Sequence, residues 1–79
     1  MPTLLNIFGL RFYFYSDEHL PIHVHIENAD GKAKINLIPK IEIVENRNIN
    51  QKDLRKAIAV IELYKEDFIK AWKEYHGEE

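Results

Sequence analysis

The apolar residues of this chain keep two different periods, and the change of period near Asn50 limits the fold more than any other feature of the sequence. Leu10, Phe12 and Phe14 form one row against Arg11, Tyr13 and Tyr15. Ile22, Val24 and Ile26 then oppose His23, His25 and Glu27, and Ala33, Ile35 and Leu37 oppose Lys32, Lys34 and Asn36. A period of two is the mark of a strand with one buried face. Beyond Asn50 the apolar residues are Leu54, Ala57, Ile58, Ile61, Tyr64, Phe68, Trp72 and Tyr75, recurring every three or four positions as one stripe of a helix. Strands that all precede the helix predict an α+β domain, an antiparallel sheet of four or five strands packed on one face by a long C-terminal helix.

The junctions fit this order. Thr3 to Ile7 reads as a first strand, and Gly9 after Phe8 supplies a bend. Ser16-Asp17-Glu18-His19 is a polar loop, and Asn28-Ala29-Asp30-Gly31 is a hairpin turn in which Gly31 is expected to take the positive φ. Pro39 interrupts the pattern before Ile41 and Ile43 face inward again. Asn50 with Asp53 resembles a capping box, so the helix is predicted to begin at Gln51 and to run to His76, closed by Gly77. Phe8, Phe12 and Phe14 are expected in the core.

Seventy-nine residues make one domain, 1–79, with a core small enough that docking onto a partner would add to its stability. There is no cysteine, which removes disulfides and thiolate metal sites and suits a reducing compartment. No basic, apolar leader and no apolar run near ~20 residues is present, so the expectation is a cytoplasmic protein with no membrane span. Eleven Lys and Arg against thirteen Asp and Glu leave a net charge of -2. That argues against a generally cationic nucleic-acid binder while leaving room for nucleic acid on a local basic face.

The helix raises a question of length. Gln51 to His76 is about 39 Å at ~1.5 Å per residue, whereas a six-residue strand spans about 20 Å. Either the helix is kinked into two near Tyr64-Lys65, or its second half, with Phe68, Trp72 and Tyr75, meets another chain. No Pro or Gly at that point supplies a kink, which favours a homodimer or partner interface through those aromatics.

Chemistry concentrates in His19-Leu20-Pro21-Ile22-His23-Val24-His25, three of the four histidines in seven residues. By period two, His23 and His25 share the face opposite the helix with Arg11, Tyr13, Tyr15, Glu27, Lys32, Lys34 and Asn36, an unusual set for a merely solvated surface. Three readings are open. His19, His23 and His25, or the pair completed by Asp17 or Glu27, would offer nitrogen ligands to zinc or a similar divalent metal with one open position. As catalytic groups, His23 and His25 would flank a phosphate held by Arg11 or Lys34, the arrangement of an RNA-cleaving site without metal. As structural groups, His19 would cap the turn at Pro21 while His23 and His25 pair with Tyr13 and Tyr15 across the strands.

Met1-Pro2-Thr3-Leu4, Phe8-Gly9-Leu10-Arg11-Phe12, the His-x-Pro-x-His-x-His pattern at His19, Pro21, His23 and His25, and the late Trp72 together resemble the small bacterial domain-of-unknown-function family 4160. Members commonly carry a second Pro before the paired histidines and an aromatic between them, where this chain has Ile22 and Val24. The resemblance implies a prokaryotic protein encoded beside a small cognate protein partner, a suspected toxin-antitoxin pair. It implies no established reaction, and it points to His19, Pro21, His23 and His25. The leading expectation is thus a toxin-like component acting through an exposed His/Tyr/Arg sheet face, with a non-catalytic binding or regulatory module as the alternative.

Overall fold

The computed structural model describes residues 3–15 and 19–76. Met1, Pro2, Ser16, Asp17, Glu18 and Gly77, all of which carry expectations above, lie outside those residues. Five strands precede one helix: β1 (Thr3–Ile7), β2 (Leu10–Tyr13), β3 (His23–Glu27), β4 (Lys32–Asn36), β5 (Glu42–Arg47) and α1 (Gln51–His76). The strands form a single antiparallel meander in sequence order, so β1 and β5 are the two edges. The fold is the α+β arrangement that the two periods predict.

Each turn is set by local chemistry. Phe8 and Gly9 make the β1–β2 hairpin tip with φ of 57° and 73°, the paired positive values of a tight two-residue loop. Phe8 is therefore held out in solvent instead of in the core where its hydrophobicity would place it. At the β3–β4 turn, the Asn28 Oδ1 accepts from the Asp30 and Gly31 amides, each at 2.8 Å. Gly31 is not in the left-handed region. It is needed because a Cβ there would collide with the Arg47 carbonyl, where the end of β5 passes. The peptides Leu20–Pro21 and Ile38–Pro39 are cis.

The helix begins as expected, with half of the expected cap. Asn50 Oδ1 accepts from the Asp53 amide at 2.8 Å, and the Asn50 carbonyl accepts the first helical bond from Leu54 at 2.9 Å. The Asp53 carboxylate, however, accepts from Asn28 Nδ2 at 2.7 Å, tying the helix start to the β3–β4 turn.

The helix is one uninterrupted element of 26 residues, so the kink is corrected, and the length question is answered by direction. Its first turns lie beside β5, where Ile43, Leu54 and Ile58 line one groove. Its later turns lie over β2, where Phe12 meets Phe68 at 5.9 Å and Phe14 meets Trp72 at 5.5 Å between ring centroids. Two residues along a strand and four along a helix both advance about 6–7 Å, so the two rows stay in step. Five strands ~4.8 Å apart and about 18 Å long have a diagonal of about 26 Å. From Leu54 to Trp72 the helix advances about 27 Å. Crossing the sheet diagonally, α1 buries Leu54, Ala57, Val60, Ile61, Phe68 and Trp72 on one core with Leu10, Phe12, Val24, Ile26, Ile35 and Leu37. Phe68 and Trp72 are thus covered by their own chain, which removes the overhang as a reason for an interface there; Tyr75 alone of the three stays 45% exposed. Among the described residues no helix is long and apolar enough to cross a membrane.

Candidate functional site

The face of the sheet opposite α1 carries rows of side chains fixed by strand register. Tyr13 stands beside His25 and His25 beside Lys34, which pairs with Glu45; one pleat away Arg11, Glu27, Lys32 and Arg47 form the parallel row. Nine positions assigned to this face by period two therefore do occupy it, but they are not equally open. Tyr13 is only 1% exposed and His23 only 2%.

Tyr13 is buried by its neighbours on that same face. The Arg11 guanidinium carbon lies 4.3 Å from the centre of its ring, His25 stacks on it at 5.4 Å, and Tyr15 meets it edge-on at 5.5 Å. Burial, then the hydrogen bond and charge of Tyr15, then Glu27 push the Tyr13 phenol well above the usual tyrosine range, against the opposing pull of Arg11. Arg11 is fixed in turn by Glu27, Nη1 to Oε1 at 2.8 Å, and by Nε donating to Thr3 Oγ1 at 3.1 Å.

His23 is buried for a different reason. It is the first residue of β3, at the end of the sheet, where the last turns of α1 run past the strand ends. Its ring lies between Trp72, at 4.9 Å, and His25, at 5.0 Å. Its Nδ1 donates to the Pro21 carbonyl at 2.8 Å. His76 closes the same corner. Its two ring nitrogens sit 3.0 Å from the Trp72 carbonyl and 3.1 Å from the Tyr15 carbonyl, joining the helix end to the chain leaving β2.

The three histidines of the cluster are placed apart in environment. His19 is exposed beyond the cis Leu20–Pro21 peptide, His23 is packed under Trp72, and Glu27 is engaged by Arg11. Among the described residues no group of three His, Asp or Glu side chains is placed to hold a metal ion, so His19, His23 and His25 are not assembled as a zinc site. Of the two histidines of the acid-base reading, His23 is buried and His25 borders the open face. His25 packs against Tyr13 and Tyr15, the pairing the structural reading expects, whereas His23 packs against Trp72 and His25.

What stays open is a cleft of about 220 Å³ lined by Tyr13, Tyr15, His25, Lys32, Lys34, Glu45 and Arg47. Lys32 and Lys34 make no ion pair among the described residues, while Arg47 Nε is 2.6 Å from Glu45 Oε2. The cleft thus offers aromatic edges and faces beside two ammonium groups and a partly neutralised guanidinium. Glu45 and Arg47 were missed by the sequence reading. Strict alternation from Ile43 sends both to the helix side, but β5 holds an extra residue at Val44, where Lys34 pairs with Glu45 and Ile35 with Ile43. That bulge shifts the phase by one and brings Glu45 and Arg47 to the open face.

No curated protein and no solved structure matches the chain. The family described as Domain of unknown function (DUF4160) matches residues 9–73, a span that runs from the β1–β2 hairpin to the start of the last turn of α1. The chain with this five-stranded meander, diagonal helix and aromatic-basic cleft belongs to the DUF4160 family.

Proposed function

We propose that the protein is a binding module that holds a short single-stranded RNA segment on its open sheet face, as the toxin-like member of a two-protein module. It acts by occupying its target, without cleaving it. The observation that carries this reading is the cleft in which His25 and Tyr15 border Lys32 and Lys34, which make no ion pair among the described residues. An exposed sheet face with aromatic rings and flanking cations is suited to unpaired bases, whose faces stack on the rings while phosphates meet the ammonium groups. The net charge of -2 confines attraction to this cleft, so few phosphates are engaged and binding is modest and salt-sensitive. The setting in a two-protein module rests on the family resemblance, and a cognate partner that neutralises the chain would cover this same face.

Fluorescence anisotropy with a labelled single-stranded RNA oligonucleotide tests the reading. Wild-type protein is expected to bind, with Lys34→Glu and His25→Ala each weakening the affinity about tenfold, as the loss of one charge contact or one stacking contact predicts. Expression of the chain alone should slow growth, and the same two variants should relieve it. An affinity indifferent to both substitutions would remove the cleft from the account.

A further inference from the structure

Strand β5 is the second edge of the sheet, and all six of its residues are exposed. Ile43 and Val44 are 41% and 46% exposed, and Ile43 borders the apolar groove formed with Leu54, Ile58 and Ala59 of α1. Such an edge leaves backbone N–H and C=O groups that another strand can satisfy. The bulge and the charges of Glu42, Glu45 and Arg47 are devices that ordinarily blunt an edge. Here the charges follow an order that the same strand in a second copy complements.

Laid antiparallel on itself with first residue opposite last, β5 sets Glu42 against Arg47, and the two-fold axis repeats the pair. The faces also match in this register. Glu42 pairs with Asn36 and Arg47 with Lys32, both on the open face, whereas Ile43 pairs with Ile35 and Asn46 with Ala33, both on the helix side. Opposite residues in a continuous antiparallel sheet must share a face, and Glu42 with Arg47 and Ile43 with Asn46 do so. Sliding the strands by one pleat, so that Glu42 faces Glu45, brings like charges together on the same face.

We propose that β5 is the isologous interface of a homodimer, in which five strands from each copy join into one continuous sheet with both helices on the same side. The seam places the exposed Ile43 of each copy beside the Asn46 of the other and brings the two aromatic-basic clefts to either side of the axis. The interface is distinct from the Phe68, Trp72 and Tyr75 stripe, and it does not depend on RNA binding.

Sedimentation of the protein without nucleic acid, over a concentration series, is the test. The wild type should pass from monomer to dimer. Glu42→Arg and Arg47→Glu should each weaken association at least tenfold by placing like charges opposite one another twice, and the double variant should restore it. Circular dichroism confirms that each variant keeps its fold. Hydrogen exchange at the Glu42–Arg47 amides should slow as wild-type concentration rises. A chain that stays monomeric throughout, a double variant no better than its singles, or exchange at β5 that ignores concentration would overturn the proposal.

Discussion

His23 and His25 stand two residues apart on one strand and on the same side of the sheet, yet they belong to different parts of the molecule. His23, at the strand's first position, is taken into the corner that Trp72 and His76 build at the end of α1. His25, one pleat further in, lies between Tyr13 and Tyr15 on the open face and lines the cleft. Strand period decides which face a residue occupies, but the reach of the neighbouring layer decides whether that face is open. A helix crossing the sheet diagonally covers one face throughout and also wraps the end over which it projects.

The severest way to break this distinction is to remove the cover. Trp72→Ala deletes the largest buried side chain of the corner and should cost about 3–5 kcal/mol, a large share of the ~4–12 kcal/mol expected for a chain of this size. Trp72→Phe should cost about 1 kcal/mol, within the range of a volume-changing aromatic swap, because the indole N–H is buried with no acceptor among the described residues and nothing is lost with it. Urea denaturation separates the two; equal losses would mean that the ring does not cover His23 in the way described.

The two histidines themselves give the next largest effect. His23→Ala leaves the Pro21 carbonyl without its donor and opens a gap beside Trp72, so it should cost about 1–3 kcal/mol. His25→Ala, on the half-open face, should cost less than about 1 kcal/mol while carrying the larger loss of RNA affinity. Paired denaturation and anisotropy curves would reverse this division of roles if His23, and not His25, governed binding at unchanged stability.

How much of this could be read from the residues follows the same logic. The strands, their order on two faces and the helix limits were legible because each rests on a local period: Leu10, Phe12 and Phe14 need only alternate, and Leu54 to Trp72 need only recur. The burial of His23 was not, because it depends on Trp72, far along the chain, arriving at the sheet's end. Glu45 and Arg47 were hidden for the opposite reason. One extra residue at Val44 breaks the period locally, and only the partner strand shows where the count resumes. Phe8 was misjudged because a turn of two positive φ values overrode its hydrophobicity.

The finest test concerns Tyr13, which stacks on His25 under the open face. Its phenol is pushed up by burial first and then by Tyr15 and Glu27, so folding favours the protonated form relative to the unfolded chain, where tyrosine ionises near ~10. The sign follows from proton counting. Below about pH 10 both states hold the proton and the contribution is complete. Above it the unfolded chain releases the proton while the folded chain keeps it, so stability falls as pH rises towards the folded value. Tyr13→Phe abolishes this linkage. Denaturation curves collected at several values above about pH 10 should therefore fall less steeply for the variant than for the wild type, with the two running parallel at neutral pH. An ultraviolet difference titration should assign to Tyr13 the phenolate signal that appears only as the fold is lost. A wild type that releases this proton while still folded would mean that the open face admits solvent to Tyr13, and that its wall of Arg11, Tyr15 and His25 is looser than the corner that holds His23.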